Sequence, residues 1–275
     1  MQILSPAKIN IGLHITSKRP DGYHNLETIF YPIPLYDTLE VKIIDSPQCP
    51  YCFTSHGISI PRASEKNLVI SVFQQMQHEF SLPPLDITLH KKIPVGAGLG
   101  GGSSDAASMM IILNHMFQLG LSDNEMETRI ASFGADCPFF IRKNPVYATG
   151  IGNIFQTAEI DLNGYYLILV KPQIHVSTAQ AYAFVKAHPA DIDLRDATKL
   201  PISQWKRCIK NDFEESVFSQ FPHIAAIKQK LYDLGAEYVS MSGSGSSVFG
   251  LFKQAIPLLH KQFIDCFTFQ APLSK

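Results

Sequence analysis

The chain predicts an α+β fold, and three observations carry that expectation. Residues 7–16 alternate apolar and polar like a half-buried strand, with Ile9, Ile11, Leu13 and Ile15 on one face and Lys8, Asn10, Gly12 and His14 on the other. A glycine-rich stretch, 94–107, is set between a half-polar strand and an Ala/Met/Ile/Leu-rich helix. Strands and helices elsewhere follow in mixed order, not in the regular alternation that a doubly wound parallel sheet demands.

Each element has a local reason. With the apolar face of 7–16 toward a core, Lys8 and Asn10 are expected to point together toward solvent or a cleft. Ser17–His24 reads as a loop, turned by Asp21-Gly22. Leu26–Ile33 resumes as the hairpin partner, and Thr38–Ile44 is a further alternating strand. Ser64–Leu68 leads into a helix that runs to about Phe80, and Pro83-Pro84 separates it from a strand over 86–93. Beyond the glycines, Asp105–Phe117 keeps helical spacing through Ala106, Met110, Leu113 and Phe117, with Gly120 suited to its stop. Ser122-x-x-Glu125 is a capping box for the next helix, which is expected to end near Gly134. Gly134–Phe140 reads as a tight loop running into a strand. Gly150-Ile-Gly152 breaks the pattern and divides the 275 residues into 1–152 and 153–275. The second part opens on a buried strand, Tyr165–Val170, continues with helices near 178–187, 203–209 and 222–234, and closes on a strand–glycine turn–strand over Tyr238–Phe252. The tail beyond Lys253 carries no motif.

Composition removes several classes of function. Lys plus Arg number 23 against 24 Asp plus Glu, and there is no basic run, so nucleic acid and anionic membrane are poor partners. No apolar stretch approaches the ~18 residues that span a bilayer. Met1–Lys8 has neither a cationic head with an apolar core nor an Arg/Ser-rich leader, and a cytoplasmic location is the expectation. Five irregularly spaced cysteines argue against a disulfide framework. Cys49-Pro-Tyr-Cys52 has redox or zinc spacing, but turn-rich, strand-like residues follow it, and Cys137, Cys208 and Cys266 are each isolated. Two loop or strand-edge thiols are the better reading.

The most informative stretch packs five glycines into residues 96–102. Glycines let backbone amides crowd around a bound group, and a helix opening behind them aims free N–H groups and its positive dipole end at the same place. That arrangement cradles phosphate. It is not a Walker A loop, because Gly102 is followed by Ser103 with no lysine. Gly96, Gly98 and Gly101 match G-x-G-x-x-G. A dinucleotide fold, however, needs a buried parallel strand before the motif and an acidic strand end about 20 residues later. Here Leu121–Glu125 is a helix start instead. The His-Arg-Asp and Asp-Phe-Gly sequences of protein kinases are absent. A flexible linker would carry neither Leu99 nor the flanking strand and helix. Ser103 and Ser104 read from the residues alone as helix N-caps or as hydroxyls offered to a phosphate, and both roles can hold at once.

Other polar residues admit two readings from the sequence alone. Asp136, fixed between Gly134 and Pro138, suits a precisely aimed base or an Asx-turn and N-cap equally well. Lys8 is an exposed strand lysine or the partner of a carboxylate. Tyr23 packs over its own hairpin loop or stacks on a base. Gly243 and Gly245 make an ordinary hairpin turn or a second main-chain binding surface.

Three motifs occur in a fixed order: Pro6-Ala-Lys-Ile-Asn10, the glycine loop at 94–107, and Met241-Ser-Gly-Ser-Gly-Ser246. In these the chain resembles the GHMP kinase superfamily, over about residues 3–253. Arg19-Pro-Asp-Gly-Tyr-His24, Gly98-Leu-Gly-Gly-Gly-Ser-Ser-Asp-Ala-Ala107 and Gly134-Ala-Asp-Cys-Pro-Phe-Phe140 narrow the likeness to the family of kinases acting on 4-diphosphocytidyl-2-C-methyl-D-erythritol. The resemblance implies a two-lobed α+β structure with the active-site cleft between the lobes. The implied activity is ATP- and Mg²⁺-dependent phosphorylation of the 2-hydroxyl of that small cytidine-diphosphate-linked substrate, a step of the non-mevalonate route to isoprenoid precursors. A monomer or weak homodimer is expected.

The same resemblance assigns roles. Asp136 is the general base, with Lys8 beside it to keep it ionised and to offset phosphoryl charge. Pro94, Val95, Gly96, Ala97, Gly98, Leu99, Gly100, Gly101, Gly102, Ser103 and Ser104 wrap the phosphates, and Asn67 and Leu68 contribute to the adenine pocket. Asn10 contacts the substrate. Tyr23 and His24 read cytidine, Tyr182 closes a base sandwich, and Gly243 and Gly245 lie near the substrate. Superfamily members often hold Mg²⁺ with a glutamate that has no clear counterpart in this chain, so no protein metal ligand is expected. Two alternatives remain. One is a GHMP kinase for homoserine or a mevalonate derivative, which would have no cytosine for Tyr23-His24 to read. The other is a nucleotide-binding regulator that has lost catalysis, against which the presence of both Lys8 and Asp136 speaks.

Overall fold

The computed structural model describes residues 1–45, 49–60 and 67–273. They form two compact units, each assembled from separate stretches of chain. Ser64–Lys66, at the expected start of the first helix, lie outside the described residues. Two long strands, β1 (Gln2–Lys18) and β2 (His24–Ile43), contribute to both units.

The first unit comprises Met1–Ala7, Leu35–Val95 and Gly100–Lys143. Its sheet contains β3 (Tyr51–Gly57) and β4 (Leu85–Lys91). They run parallel, with Tyr51 opposite Leu85, while β2 pairs antiparallel to β4 from Thr38↔His90 to Ile43↔Leu85. Leu39, Val41, Leu85, Ile87 and Leu89 alternate into the core, the period-2 pattern of a sheet with one covered face. Helix α1 (Leu68–Phe80) packs against α2 (Gly101–Met116). Asn67 starts α1 by accepting from the Val69 amide at 2.9 Å. The helix α2 is buried over most of its circumference by Ala106, Ala107, Met109, Met110, Ile112 and Leu113, so small and flexible apolar residues serve where an amphipathic stripe would not. The capping box of Ser122 and Glu125 opens α3 (Asp123–Ile130), a 3₁₀ turn follows at Ala131–Phe133, and α4 (Phe139–Arg142) is one short turn.

The second unit comprises Lys8–Pro34, Gly96–Leu99 and Asn144–Lys275. Here β2 pairs with β5 (Val146–Thr149), which turns through Gly150–Gly152 into β6 (Ile154–Thr157). A separate antiparallel sheet contains β7 (Tyr165–Pro172), β8 (Tyr238–Met241), β9 (Val248–Phe252) and β10 (Cys266–Leu273), in the order β10-β7-β9-β8. The helices are α5 (Thr178–Tyr182), α6 (Leu194–Ala197), α7 (Ile202–Trp205), α8 (Phe213–Gln220), α9 (Pro222–Asp233) and α10 (Leu259–Gln262). The helix α9 packs on β8 and β9, and Ile224, Ile227 and Leu231 join Leu13, Ile15, Ile168, Val170, Val239 and Val248 in one core.

Several expectations change. The strands read at Leu26–Ile33 and Thr38–Ile44 are one strand, which runs through Pro32 and Pro34. The helix behind the glycines starts at Gly101, not Asp105. Gly134–Phe140 leads into α4 and not into a strand, and the helices near 178 and 203 stop at Tyr182 and Trp205. The tail, unreadable by motif, forms β10, and Pro272 is tolerated because β10 is an edge strand. In β1, every residue from Ser5 to Ile15 is buried, the polar face included. Gly12, at φ 68, breaks the strand's regular alternation at that point.

Candidate active site

In the second unit, the structure brings together one piece of each sequence motif: Lys8 and Asn10, Gly96–Leu99, and the Met241–Ser246 turn. Lys8 is only 5% exposed, which rules out a solvated strand lysine. Its ammonium donates to Asn10 Oδ1 at 2.6 Å and to the Gly98 carbonyl at 3.0 Å, and it lies 5.1 Å from the centre of the Phe30 ring. The Asn10 amide donates to Thr28 Oγ1 at 2.9 Å, and Thr28 donates onward to the Gly12 carbonyl at 2.5 Å. The Asn10 side chain is thereby oriented, its oxygen toward Lys8 and its nitrogen toward Thr28.

The turn between β8 and β9 lies against the middle of the glycine loop. Ser242 donates to the Gly98 carbonyl at 2.8 Å, the Ser247 amide donates to the Ala97 carbonyl at 3.3 Å, and Lys8 N donates to the Leu99 carbonyl at 3.0 Å. The approach is close. A Cβ built on Gly98 would lie 2.0 Å from the Ser242 carbonyl oxygen, and one on Gly243 would lie 3.3 Å from Asn10 Oδ1. Gly245 fits against Met241, where a Cβ would meet the sulfur at 2.7 Å. Gly243 and Gly245 thus form a hairpin turn that also serves as a packing surface for the loop. Gly96 is exposed, and a Cβ there would meet the His175 ring at 3.0 Å. Leu99 is buried and anchors the loop.

Also in this unit, the His24 ring stacks on Tyr182 with centroids 4.6 Å apart and planes 21° apart, and Tyr182 meets Phe213 edge-on at 4.8 Å. Tyr23 is 62% exposed at the hairpin tip and does not join this stack.

The ends of the loop belong to the first unit. Pro94 is buried and Val95 exposed. Gly100, in the left-handed region at φ 69, is the N-cap of α2, and no side chain among the described residues caps it. The first-turn amides, with Gly101 and Gly102 among them, take no intrahelical partner, as at any helix start. Ser103 donates to Asp136 Oδ1 at 2.8 Å, tying the predicted base to the helix start. The first turn of α4 takes no side-chain cap, so the N-cap reading of Asp136 does not hold there. Ser104 is fully buried, and its hydroxyl has no partner among the described residues. Burial, reinforced by the Asp136 charge, pushes the Cys137 thiol up to about 12. At neutral pH it is an inert neighbour and not a nucleophile. Asn67 and Leu68 are at the start of α1, where the Asn67 side chain is already used as a cap. Cys49 and Cys52 are exposed free thiols. Among the described residues, no three His, Cys, Asp or Glu side chains gather as a cation cage, and no helix is long and apolar enough to cross a membrane.

Sequence reasoning missed several supporting residues. Ser242 and Thr28 carry the contacts of Gly98 and Asn10. Asn211, 3% exposed, donates to the Met241 and Gly243 carbonyls at 2.8 and 2.9 Å and so pins the turn. The largest omission is a buried ion cluster in the first unit, where Lys91 pairs with Asp37 and, at 2.8 Å, with Asp105. Burial pushes the Asp105 carboxyl up to about 7; the Lys91 ammonium pulls it down, and the Asp37 charge adds to the rise. Burial acts to lower Lys91, but the two carboxylates outweigh it and hold the ammonium above the usual lysine range.

A pH dependence of stability follows. An unfolded carboxyl titrates near ~4, so between there and ~7 the folded chain holds the extra Asp105 proton. Unfolding free energy should therefore fall as pH climbs through that window and level off above it. Urea melts over the window should show that decline, with a shallower slope in Asp105→Asn. Equal slopes would remove the assignment.

The comparisons with known proteins agree with the geometry. Residues 67–144 match the family model for the GHMP kinases N terminal domain, and residues 197–260 the model for the GHMP kinases C terminal. The chain is 51% identical over 267 residues to the 4-diphosphocytidyl-2-C-methyl-D-erythritol kinase of Bacteroides fragilis, covering 97% of each protein. It is 49% identical over 269 residues to the enzyme of the same name from Parabacteroides distasonis, covering 98% of each. Among solved structures it is similar to a 4-(cytidine 5'-diphospho)-2C-methyl-D-erythritol kinase, with a TM-score of 0.77, 30% identity, and 91% and 90% of the two chains covered. The α+β GHMP kinase fold expected from the motifs is the fold observed, and the chain belongs to the 4-diphosphocytidyl-2-C-methyl-D-erythritol kinase family of the GHMP kinases.

Proposed function

We propose that this chain phosphorylates the 2-hydroxyl of 4-diphosphocytidyl-2-C-methyl-D-erythritol with ATP, in the non-mevalonate route to isoprenoid precursors. The observation that carries the mechanism is the 2.8 Å bond from Ser103 to Asp136, which couples a carboxylate to the uncapped start of α2. A helix start behind a run of glycines holds phosphate, and a carboxylate tied to it is suited to act where the terminal phosphoryl reacts.

In this reading Asp136 takes the proton of the 2-hydroxyl as that oxygen bonds to the γ-phosphorus. The bond from the γ-phosphorus to the bridging oxygen breaks, and ADP leaves. Lys8 offsets charge on the phosphoryl group, and Asn10 orients Lys8 through their 2.6 Å bond. The amides of Gly96–Ser104 and the unpartnered Ser104 hydroxyl serve the phosphates. When bound with ATP, Mg²⁺ would supply screening of the phosphate charge. No side chain of this chain is assigned to it, and its ligands are assigned to phosphate and water. Pro94, Val95, Asn67 and Leu68 are assigned to the nucleotide, and Tyr23, His24, Tyr182, Gly243 and Gly245 to the cytidylyl substrate. Residues 1–152 carry the nucleotide work and 153–275 form the C-terminal domain; the two family matches, 67–144 and 197–260, fall one in each and support that division. The enzyme is assigned to the cytoplasm, as a monomer or weak homodimer.

The test is turnover. ADP release should depend on the cytidylyl substrate, phosphorus NMR should locate the new phosphate on its 2-oxygen, and homoserine and mevalonate should support none. Tyr182→Ala should raise the KM for the cytidylyl substrate by about tenfold, the scale of one lost stacking partner, with kcat little changed. An unchanged KM would favour an acceptor without a base.

A further inference from the structure

The buried cluster of Asp37, Lys91 and Asp105 takes no part in the chemistry above, and its placement needs an explanation. All three side chains are buried, at 0%, 4% and 2% exposure. Buried ion clusters are a poor source of stability, since apolar residues of similar volume fill such space at lower desolvation cost. What they supply is direction, because each donor and acceptor has a defined geometry.

The directions converge on the two ends of the glycine loop. Asp37 Oδ1 accepts from the Lys92 amide at 2.5 Å and from the Ile93 amide at 2.9 Å, the last two residues before Pro94. The other oxygen of Asp37 takes the Lys91 ammonium. That ammonium donates on to Asp105 Oδ2 at 2.8 Å, one turn into α2. Gly101 lets the start of α2 lie directly on the end of β4. A Cβ built there would come 2.9 Å from Ile93 Cγ2 and 3.3 Å from Lys91 Nζ. Backbone on both sides of the loop is thus held by one ammonium and two carboxylates.

We propose that Asp37, Lys91 and Asp105 are positioning residues: a clamp that fixes both ends of the glycine loop and so pre-organises it for nucleotide phosphate. The proposal rests on the reading of the loop as the nucleotide site. A glycine-rich loop has the most conformational freedom to lose on binding, and a clamp that removes this freedom beforehand strengthens binding without touching the ligand. Asp105 has a particular position in the cluster. Asp37 already balances the Lys91 charge, so the second carboxyl is needed for its hydrogen bond more than for its charge. An amide oxygen at 105 can accept the same bond.

The experiment measures the Kd of ADP and of a non-hydrolysable ATP analogue by calorimetry on the full chain, with thermal melts alongside. Lys91→Met and Asp105→Ala should weaken nucleotide binding by about tenfold or more at temperatures where circular dichroism shows both folded. Asp105→Asn should stay within about threefold of the wild type. Amide hydrogen exchange over 94–104 should speed up in the first two variants and not in the third. If Lys91→Met does not accumulate as folded protein, Asp105→Ala, which keeps the Lys91–Asp37 pair, carries the same readings. Lowered melting temperatures with unchanged Kd and unchanged loop exchange would make the cluster merely structural and overturn the clamp. Failure of the wild type to bind nucleotide would overturn the loop reading itself, and the clamp with it.

Discussion

Asp136→Asn is expected to lower kcat by about 10³-fold, within the range that a positioned general base contributes. Asparagine has the same shape, and its oxygen can still accept the Ser103 hydroxyl that meets Asp136 Oδ1 at 2.8 Å. What it cannot do is take a proton. The start of α2 should therefore be unperturbed, and calorimetry should find nucleotide affinity within about twofold of the wild type. A fall in kcat with binding preserved identifies an interaction made only in the transition state. The adjacent Cys137 cannot substitute as base: its thiol, pushed up to about 12 by burial and by the Asp136 charge, stays protonated at neutral pH. A coupled assay of ADP release checks the result, and a kcat within tenfold of the wild type would remove Asp136 from the mechanism.

Gly98→Ala should be nearly as damaging by a different route. Gly98 has φ 75, where a side chain costs about 1–3 kcal/mol in strain alone. Its Cβ would also lie 2.0 Å from the Ser242 carbonyl oxygen and 3.3 Å from that of Gly245. Both are backbone atoms, so no rotamer change relieves the collision. Gly96–Leu99 must lift away from the turn, breaking the bonds that Gly98 O accepts from Ser242 and Lys8. Displacement by about 1 Å is enough to cost about 10²-fold in catalysis. The expected outcome is a lower melting temperature together with a loss of that order in kcat/KM. Gly102→Ala is the control for stability, since nothing lies within 4 Å of its built Cβ and it sits in the first turn of α2. Its melting temperature should hold or rise. A Gly98→Ala enzyme with wild-type kcat/KM would mean the close approach is dispensable.

Features that depend on near neighbours were legible in the chain. The capping box at Ser122 and Glu125 needs only a serine and a glutamate three residues apart, and it forms as expected. The glycine loop, the Asp21-Gly22 turn and the strand–turn–strand over Tyr238–Phe252 are of the same kind. Misreadings arose where local preference is ambiguous or opposed. Gly101, Gly102, Ser103 and Ser104 are weak helix formers and read as loop, yet they are the first turn of α2 because Gly101 must lie flat on Ile93 and Lys91. Phe139-Phe140-Ile141 is a short apolar run that fits strand or helix equally, and only its packing makes it α4.

By itself, the sequence determined the family, the helix-flanked glycine run and the short list of polar residues in its motifs, because motifs are written in stereochemistry over a few residues. Tertiary structure alone decided which of those residues are buried and what they touch. Lys8 reads as one face of an alternating strand, but one of its partners is a carbonyl 90 residues away. Ser242 reaches the Asn10 amide across 232 residues and the Gly98 carbonyl across 144. Asp37 meets Lys91 across 54. The physical reason is desolvation: a buried charge or hydroxyl must find a partner, and which one it finds is set by how distant chain segments pack, a property no local pattern records.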